Sequence, residues 1–249
     1  MTLLGRLYRG ETHFDFVGPR RRWFTISAVL LVVSVGALLW RGLNRSVDFV
    51  GGTVVEVGNR AGASVADVRD ALAAVGQEDA RVQVTGGGAG VRVQTEELDF
   101  EAETRLVATV AATAGVQPDD ASVQSVGPTF GSQVTESAVR ALIFFLIVIA
   151  IFISWRLEWK MAVAALAALS HDLVITAGIY SLLGFEVTPA TVIAVLTILG
   201  YSLYDTVVVF DKVLENVEER SEKDTYTNIV NLSMNQVLMR SVNTSLTSL

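Results

Sequence analysis

Four stretches of this chain are long, apolar and nearly free of charge. Trp23–Trp40 and Ala141–Trp155 carry none; Met161–Leu183 is interrupted by His171 and Asp172, and Thr188–Phe210 by Asp205 alone. Each approaches the roughly 20 residues that a helix needs to cross about 30 Å of hydrocarbon. The pattern predicts transmembrane helices over 23–40, 138–155, 161–183 and 188–211, with a tail at 1–22 and a polar segment at 212–240. Between the first two runs the periodicity changes. Val47–Val57 reads as a strand with a Gly-Gly break, and Ser64–Val75 as a helix with Ser64 as N-cap and Asp67 at the capping-box position. Ala80–Val84 and Gly90–Thr95 alternate with period two around the hairpin loop TGGGAG. Phe100–Ala114 is a second helical run, stopped by Gly115, and Ala121–Val126 a last strand, stopped by Gly127-Pro128. Strand-helix-strand-strand-helix-strand over 41–137 predicts a ferredoxin-like α+β domain (βαββαβ), with both helices on one face of an antiparallel sheet. The fold class expected is a polytopic helical membrane protein with this domain inserted after its first span.

Composition agrees: 51% of the 249 residues are hydrophobic, and the mean hydropathy is +0.47. Arg20–Arg22 ahead of the first run would also suit a secretory signal peptide. The run is long for one, and Trp40-Arg41 follows it rather than a small-residue cleavage site, so an uncleaved helix is expected. The chain has no cysteine, which excludes disulfides, thiolate metal sites and thiol catalysis. Its two histidines form no metal cluster, and no cofactor is expected. TGGGAG lacks the Lys-Ser/Thr of a phosphate loop and joins two strands, so no nucleotide site is read.

Charge sets the orientation. Arg6, Arg9, Arg20–Arg22, Arg156, Lys160, Lys212, Arg220, Lys223 and Arg240 all fall on one side of four crossings. The positive-inside rule makes that side cytoplasmic and puts the N-terminus there. The inserted segment 41–137, then extracytoplasmic, carries 7 Arg and 14 Asp or Glu, which accounts for the whole net charge of −7. That balance offers nothing to nucleic acid.

The charges inside the spans are the candidate chemistry. An unpaired carboxylate in hydrocarbon costs on the order of 3 kcal/mol by insertion scales. Asp205 could mark the inner helix end, but Thr206–Phe210 continue apolar. If the helix runs to Asp211, Asp205 lies about 9 Å below the surface. Tyr201 and Ser202, one turn earlier, and Thr206, beside it, are expected to hydrogen-bond it. Asp172, next to His171, has two readings of equal weight: an interhelical hydrogen bond among Ala164, Ala165, Ala167, Ala168 and Ser170, or a proton relay. Arg240 falls at a depth similar to that of Asp205. Asp205 is tolerable if Arg240 or a proton compensates it, and switching between the two could couple proton entry to motion. A static buried pair is the plainer alternative. After Arg240 the chain reads SVNTSLTSL, too short to cross, so 241–249 is expected to begin a fifth span of a longer protein or to end as an interfacial stub.

Several segments, in order and over almost the whole length, resemble the SecF family, the smaller half of the SecDF protein-export complexes. They are FDFVGPRRRWF, GLNRSVDFVGGT, VGPTFGSQV, WRLEWK, LSHDLVITAGIYSLLGFE, GYSLYDTVVVFDKVLENV and MRSVNTSLTSL. The resemblance implies six helices of the resistance-nodulation-division architecture, and pairing with SecD. It further implies association with the SecYEG channel, with YajC and YidC as accessory candidates, and use of the proton-motive force, without nucleotide hydrolysis, to pull preproteins across the cell membrane. It puts the family's proton-transporting positions on Asp205 and Arg240, and its HD pair on His171 and Asp172. Two positions depart from the family: Tyr204 stands where Asn usually precedes the aspartate, and Val50 where an acidic or small residue usually precedes the Gly-Gly pair. Two further readings stay open: a proton-coupled lipid or drug transporter of the same architecture, and a translocon assembly factor without proton coupling. An enzyme is not expected.

Overall fold

The computed structural model describes residues 13–220 and 224–247. Arg6, Arg9, Lys223 and the last two residues of the expected fifth span lie outside the described residues. Two compact units result, one of residues 45–140 and one of the chain on either side.

In the inserted unit, a four-stranded antiparallel sheet is built from β1 (Gly52–Gly58), β2 (Arg81–Thr85), β3 (Gly90–Thr95) and β4 (Ser122–Val126), in spatial order β2-β3-β1-β4. That is the expected ferredoxin-like order. Helices α2 (Val65–Ala73) and α3 (Phe100–Ala114) supply Val68 and Leu72, and Leu106, Val110 and Ala114, at the i, i+4 spacing of one helix face. These pack on the alternate strand positions Val55, Val57, Val82, Val91 and Val93, so one core lies between the helices and one sheet face. Ser64 caps α2 as expected: Asp67 N donates to Ser64 Oγ at 3.3 Å, and Ser64 N to Asp67 Oδ2 at 2.8 Å. The Ser64 amide and hydroxyl both favour the charged form and hold the Asp67 carboxyl below its ordinary range.

One strand differs from the reading. Val47–Val50 is a single helical turn, not the first half of a strand. Val47 and Phe49 are both buried, which mimics strand alternation. Gly51 and Gly52 then break the chain with φ of 79° and 121°. A Cβ on Gly51 would lie 2.7 Å from Pro128 Cα, and one on Gly52 2.3 Å from Thr95 O, so the turn depends on glycine at both positions.

The second unit holds α1 (Arg20–Arg41), α5 (Trp159–Leu183), α6 (Pro189–Glu218), α7 (Tyr226–Thr247) and most of α4 (Pro128–Arg156). Of these, α1, α4, α5 and α6 are long and apolar enough to cross a membrane. Helix α4 begins ten residues before the expected span, at Pro128. Proline at the first helical position costs no hydrogen bond, and the polar turns that follow need no lipid. Helices α1 and α5 meet closely: Gly178 leaves room for Ser34, whose Cβ would be 2.2 Å from a Cβ there. Beside it Ser181 Oγ donates to Ala37 O at 2.8 Å. Small residues with a hydroxyl bond are the expected means of close packing between spans.

The segment 212–240, read as a cytoplasmic connection with no elements assigned, is mostly helical. Helix α6 continues past its apolar part to Glu218, and α7 runs without a break through Arg240, so 241–247 continues a helix already begun. Asn216, buried on α6, explains the order: its Nδ2 donates to Ser233 Oγ and to Gln236 Oε1 on α7, both at 2.8 Å.

Candidate functional site

Helices α1, α5 and α6 bring four polar side chains into one chain of contacts. Ser27 Oγ lies 2.6 Å from His171 Nε2. His171 Nδ1 lies 3.2 Å from Asp172 Oδ1. Ser202 Oγ donates to Asp172 Oδ2 at 2.6 Å. The carboxyl of Asp172 is therefore engaged at both oxygens, by a ring on its own helix and a hydroxyl on α6. Asp172 is thus an interhelical acceptor that also lies within hydrogen-bond distance of the imidazole beside it.

Asp205 is placed differently from expectation. Ser202 serves Asp172 instead. Thr206 Oγ1 donates to Ser202 O at 2.9 Å, and Tyr201 is exposed. The i−3 and i+1 positions lie near Asp205, but a hydroxyl on a helix is drawn to whichever acceptor its rotamer reaches, and here that is Asp172 or a carbonyl. Asp205 Oδ1 is buried with no hydrogen-bond partner among the described residues, as is Ser241 Oγ on α7.

Arg240 forms no ion pair with Asp205. Its guanidinium donates to the Tyr204 hydroxyl and lies over the Tyr204 ring, 5.3 Å from the centroid. Tyr204 precedes Asp205 on α6, so the arginine rests on the residue next in sequence and does not pair with the carboxyl. A second carboxylate is paired through one oxygen: Arg156 Nη2, at the end of α4, donates to Asp211 Oδ2 on α6 at 2.9 Å, while Asp211 Oδ1 is buried with no hydrogen-bond partner among the described residues.

Two groups escaped the sequence reading. Ser27 is one of three hydroxyl residues in the first apolar run, a signal that could have nominated it. The other is a clamp on α7. Asn235 exchanges two hydrogen bonds with the backbone of Phe14, both at 2.9 Å. Asn231 Oδ1 accepts from Phe16 N at 2.9 Å and Val17 N at 3.1 Å, and its Nδ2 donates to Asp15 Oδ1 at 2.9 Å. The two asparagines, one turn apart, bind the segment before α1 as a neighbouring strand would.

Helices of spanning length, a ferredoxin-like domain inserted after the first, and ionisable groups held between the spans define a multi-pass membrane protein with a polar path inside its bundle. The chain belongs to the SecD/SecF family of protein export membrane proteins. Residues 106–249 match the family description "Protein export membrane protein SecD/SecF, C-terminal", and residues 37–58, which hold the Gly51-Gly52 turn, match the SecD/SecF GG motif. The chain is 42% identical to the protein translocase subunit SecF of Mycobacterium tuberculosis, with 98% of this chain and 58% of that one covered. It is 39% identical to SecF of Streptomyces coelicolor, covering 100% and 67%, and 36% identical to SecF of Vibrio alginolyticus, covering 98% and 78%. A crystal structure of SecDF, a translocon-associated membrane protein from Thermus thermophilus, superposes with a TM-score of 0.86 at 32% identity, over all of this chain and 33% of that one. The chain thus spans about six-tenths of the length of the mycobacterial relative.

Proposed function

We propose that the chain acts as the SecF-like subunit of a SecDF-type complex. In this reading it pairs with SecD, works at the SecYEG channel, and uses the proton-motive force to assist preprotein translocation. The N-terminus faces the cytoplasm, and Asp205 is the residue through which protons act. The observation that carries this is the arrangement at Asp205: a buried carboxyl oxygen without a partner among the described residues, and the guanidinium of Arg240 resting on the preceding Tyr204 instead. An isolated buried carboxylate is costly, so an ionised Asp205 requires Arg240 and a protonated one does not. Proton arrival and departure then decide whether Arg240 rests on Tyr204 or moves to Asp205, and α7 moves with it. His171 and Asp172 form the second polar station, between α1, α5 and α6. The chain's own chemistry is proton handling and motion rather than catalysis of a covalent step.

The transporter reading for small apolar cargo finds little support in the inserted unit. Its cavity of about 500 Å³ is lined by Asp79, Arg81, Glu96, Glu97 and the Gly51-Gly52 turn, a polar lining unsuited to lipid or drug. The test is export of a secreted protein in cells carrying Asp205→Asn, which keeps side-chain size and removes the titratable proton. Export lost at normal membrane levels of the variant is expected. Export retained would leave the assembly-factor reading in front.

A further inference from the structure

The path through Ser27, His171, Asp172 and Ser202 has a direction, and it starts on a helix that the proton-coupling residues do not occupy. An ionised carboxylate only accepts hydrogen bonds. Asp172 Oδ1 faces His171 Nδ1 at 3.2 Å. That contact is attractive when Nδ1 carries the hydrogen and repulsive when two lone pairs meet. Nε2 is then the bare nitrogen of the neutral ring, and it needs a donor. Ser27 Oγ, 2.6 Å away on α1, is the group in contact with it. On the far side, Ser202 Oγ donates to Asp172 Oδ2 at 2.6 Å. Two hydroxyls on two different helices thus bracket the histidine–aspartate pair, one donating to the base and one to the acid.

We propose that Ser27 is a positioning residue: its hydroxyl holds the His171 ring with Nδ1–H on Asp172 and Nε2 as acceptor, and so makes one continuous hydrogen-bonded path from α1 through α5 to α6. A serine hydroxyl both donates and accepts. A proton added at Nε2 is accommodated when Nε2–H donates to Ser27 Oγ. The serine hydrogen then turns to the backbone carbonyl four residues earlier, a bond open to serine in helices. The ring need not move, and Nδ1–H stays on Asp172. Titratable groups facing the ring are Asp172 from its own helix; α1 and α6 present the hydroxyls Ser27 and Ser202 to the pair. The assignment of the ring is independent of any export function; its consequence for export rests on the proton-coupling reading of Asp205.

The test is nitrogen NMR of histidine-labelled protein, in complex with its partner subunit in lipid, for the native sequence, Ser27→Ala and Ser27→Thr. The native His171 is expected to show a protonated Nδ1 and a bare, hydrogen-bonded Nε2. Ser27→Ala should move the Nε2 signal and mix the two tautomers, and Ser27→Thr, which keeps the hydroxyl, should restore the native spectrum. A native ring protonated at Nε2 would overturn the proposal, as would a spectrum unchanged by Ser27→Ala or not restored by Ser27→Thr. If Ser27→Ala does not accumulate, the native and threonine spectra still decide. Export measured on the same variants separates the two ideas. The expected pattern is a severalfold loss in Ser27→Ala recovered in Ser27→Thr. The NMR result with no export change would retain the ring assignment and remove its link to proton coupling.

Discussion

Tyr204 is one of the two residues at which this chain departs from the pattern of the family it resembles, and it is the residue that holds Arg240. A phenol offers an arginine both an acceptor and an aromatic face. Tyr204→Phe keeps the face and removes the acceptor. A hydrogen bond to a charged donor is worth about 1.5–3 kcal/mol. The expected outcome is about a tenfold shift of Arg240 away from position 204, visible as a changed guanidinium nitrogen signal, with protein levels unaffected. An unchanged signal would mean that the aromatic face alone holds the arginine. Asp205 stood out in the sequence because charge in an apolar run is costly wherever it occurs, and Arg240 because it is the last charge of the chain and falls at a similar depth. Their partners did not. Whether Ser202 meets Asp172 or Asp205 depends on how α6 is rotated against α5, and spacing along a single helix carries no such information.

At the scale of elements, two contacts tie helices together and each makes a prediction. Gly178 admits Ser34 at a distance that no side chain could share. Gly178→Leu should force α1 from α5 and cost about 1–3 kcal/mol or more as overpacking, measured as a lower melting temperature in detergent. The Asn231–Asn235 clamp fixes the segment before α1 to α7. Asp15, within that segment, accepts from Gly18 N at 2.8 Å and from Asn231. These bonds, the Gly18 amide first, hold its carboxyl below the ordinary carboxylate range. A depressed value means that the ionised form supports the clamp at all pH above the ordinary carboxylate pKa, and that the support is lost as pH falls through the depressed value. Protection of the Phe16 and Val17 amides, taken relative to their intrinsic exchange rates at each pH, should therefore hold from neutral pH to about pH 4 and fall only below it. Asn235→Ala should speed exchange at Phe14 on the order of tenfold, the worth of about one hydrogen bond. Exchange at Phe14 unchanged in Asn235→Ala would dissolve the clamp. The elements themselves were legible where one pattern dominated. The sheet order and both capped helices of residues 45–140 follow from alternation, caps and glycine stops. The start of α4 was hidden because its first ten residues are polar and helical at once. The turn at Val47–Val50 was hidden because two buried residues two apart look like a strand.

At the scale of the molecule, the described unit around the spans has its polar groups arranged in two stations. One links α1, α5 and α6 through Ser27, His171, Asp172 and Ser202; the other links α6 and α7 through Tyr204 and Arg240 beside Asp205. The buried Asn216 contacts and the Asn231–Asn235 clamp connect α7 to α6 and to the segment leading into α1. Helix α7, which carries Arg240, is thus tied both to α6 and to the segment leading into α1, and in the proposed function this is the route by which a proton at Asp205 acts beyond its own helix. Family membership sets the context of protein export, and within it we propose that Asp205 couples export to the proton gradient. The most direct measurement is preprotein export into sealed vesicles carrying the complete complex, with the native chain or Asp205→Asn, before and after an ionophore collapses the proton-motive force. The account predicts that collapse slows export with the native chain, and that Asp205→Asn starts at the slow rate and loses nothing further. Full export with Asp205→Asn that still falls on collapse would contradict it, because the gradient would then act through some other residue.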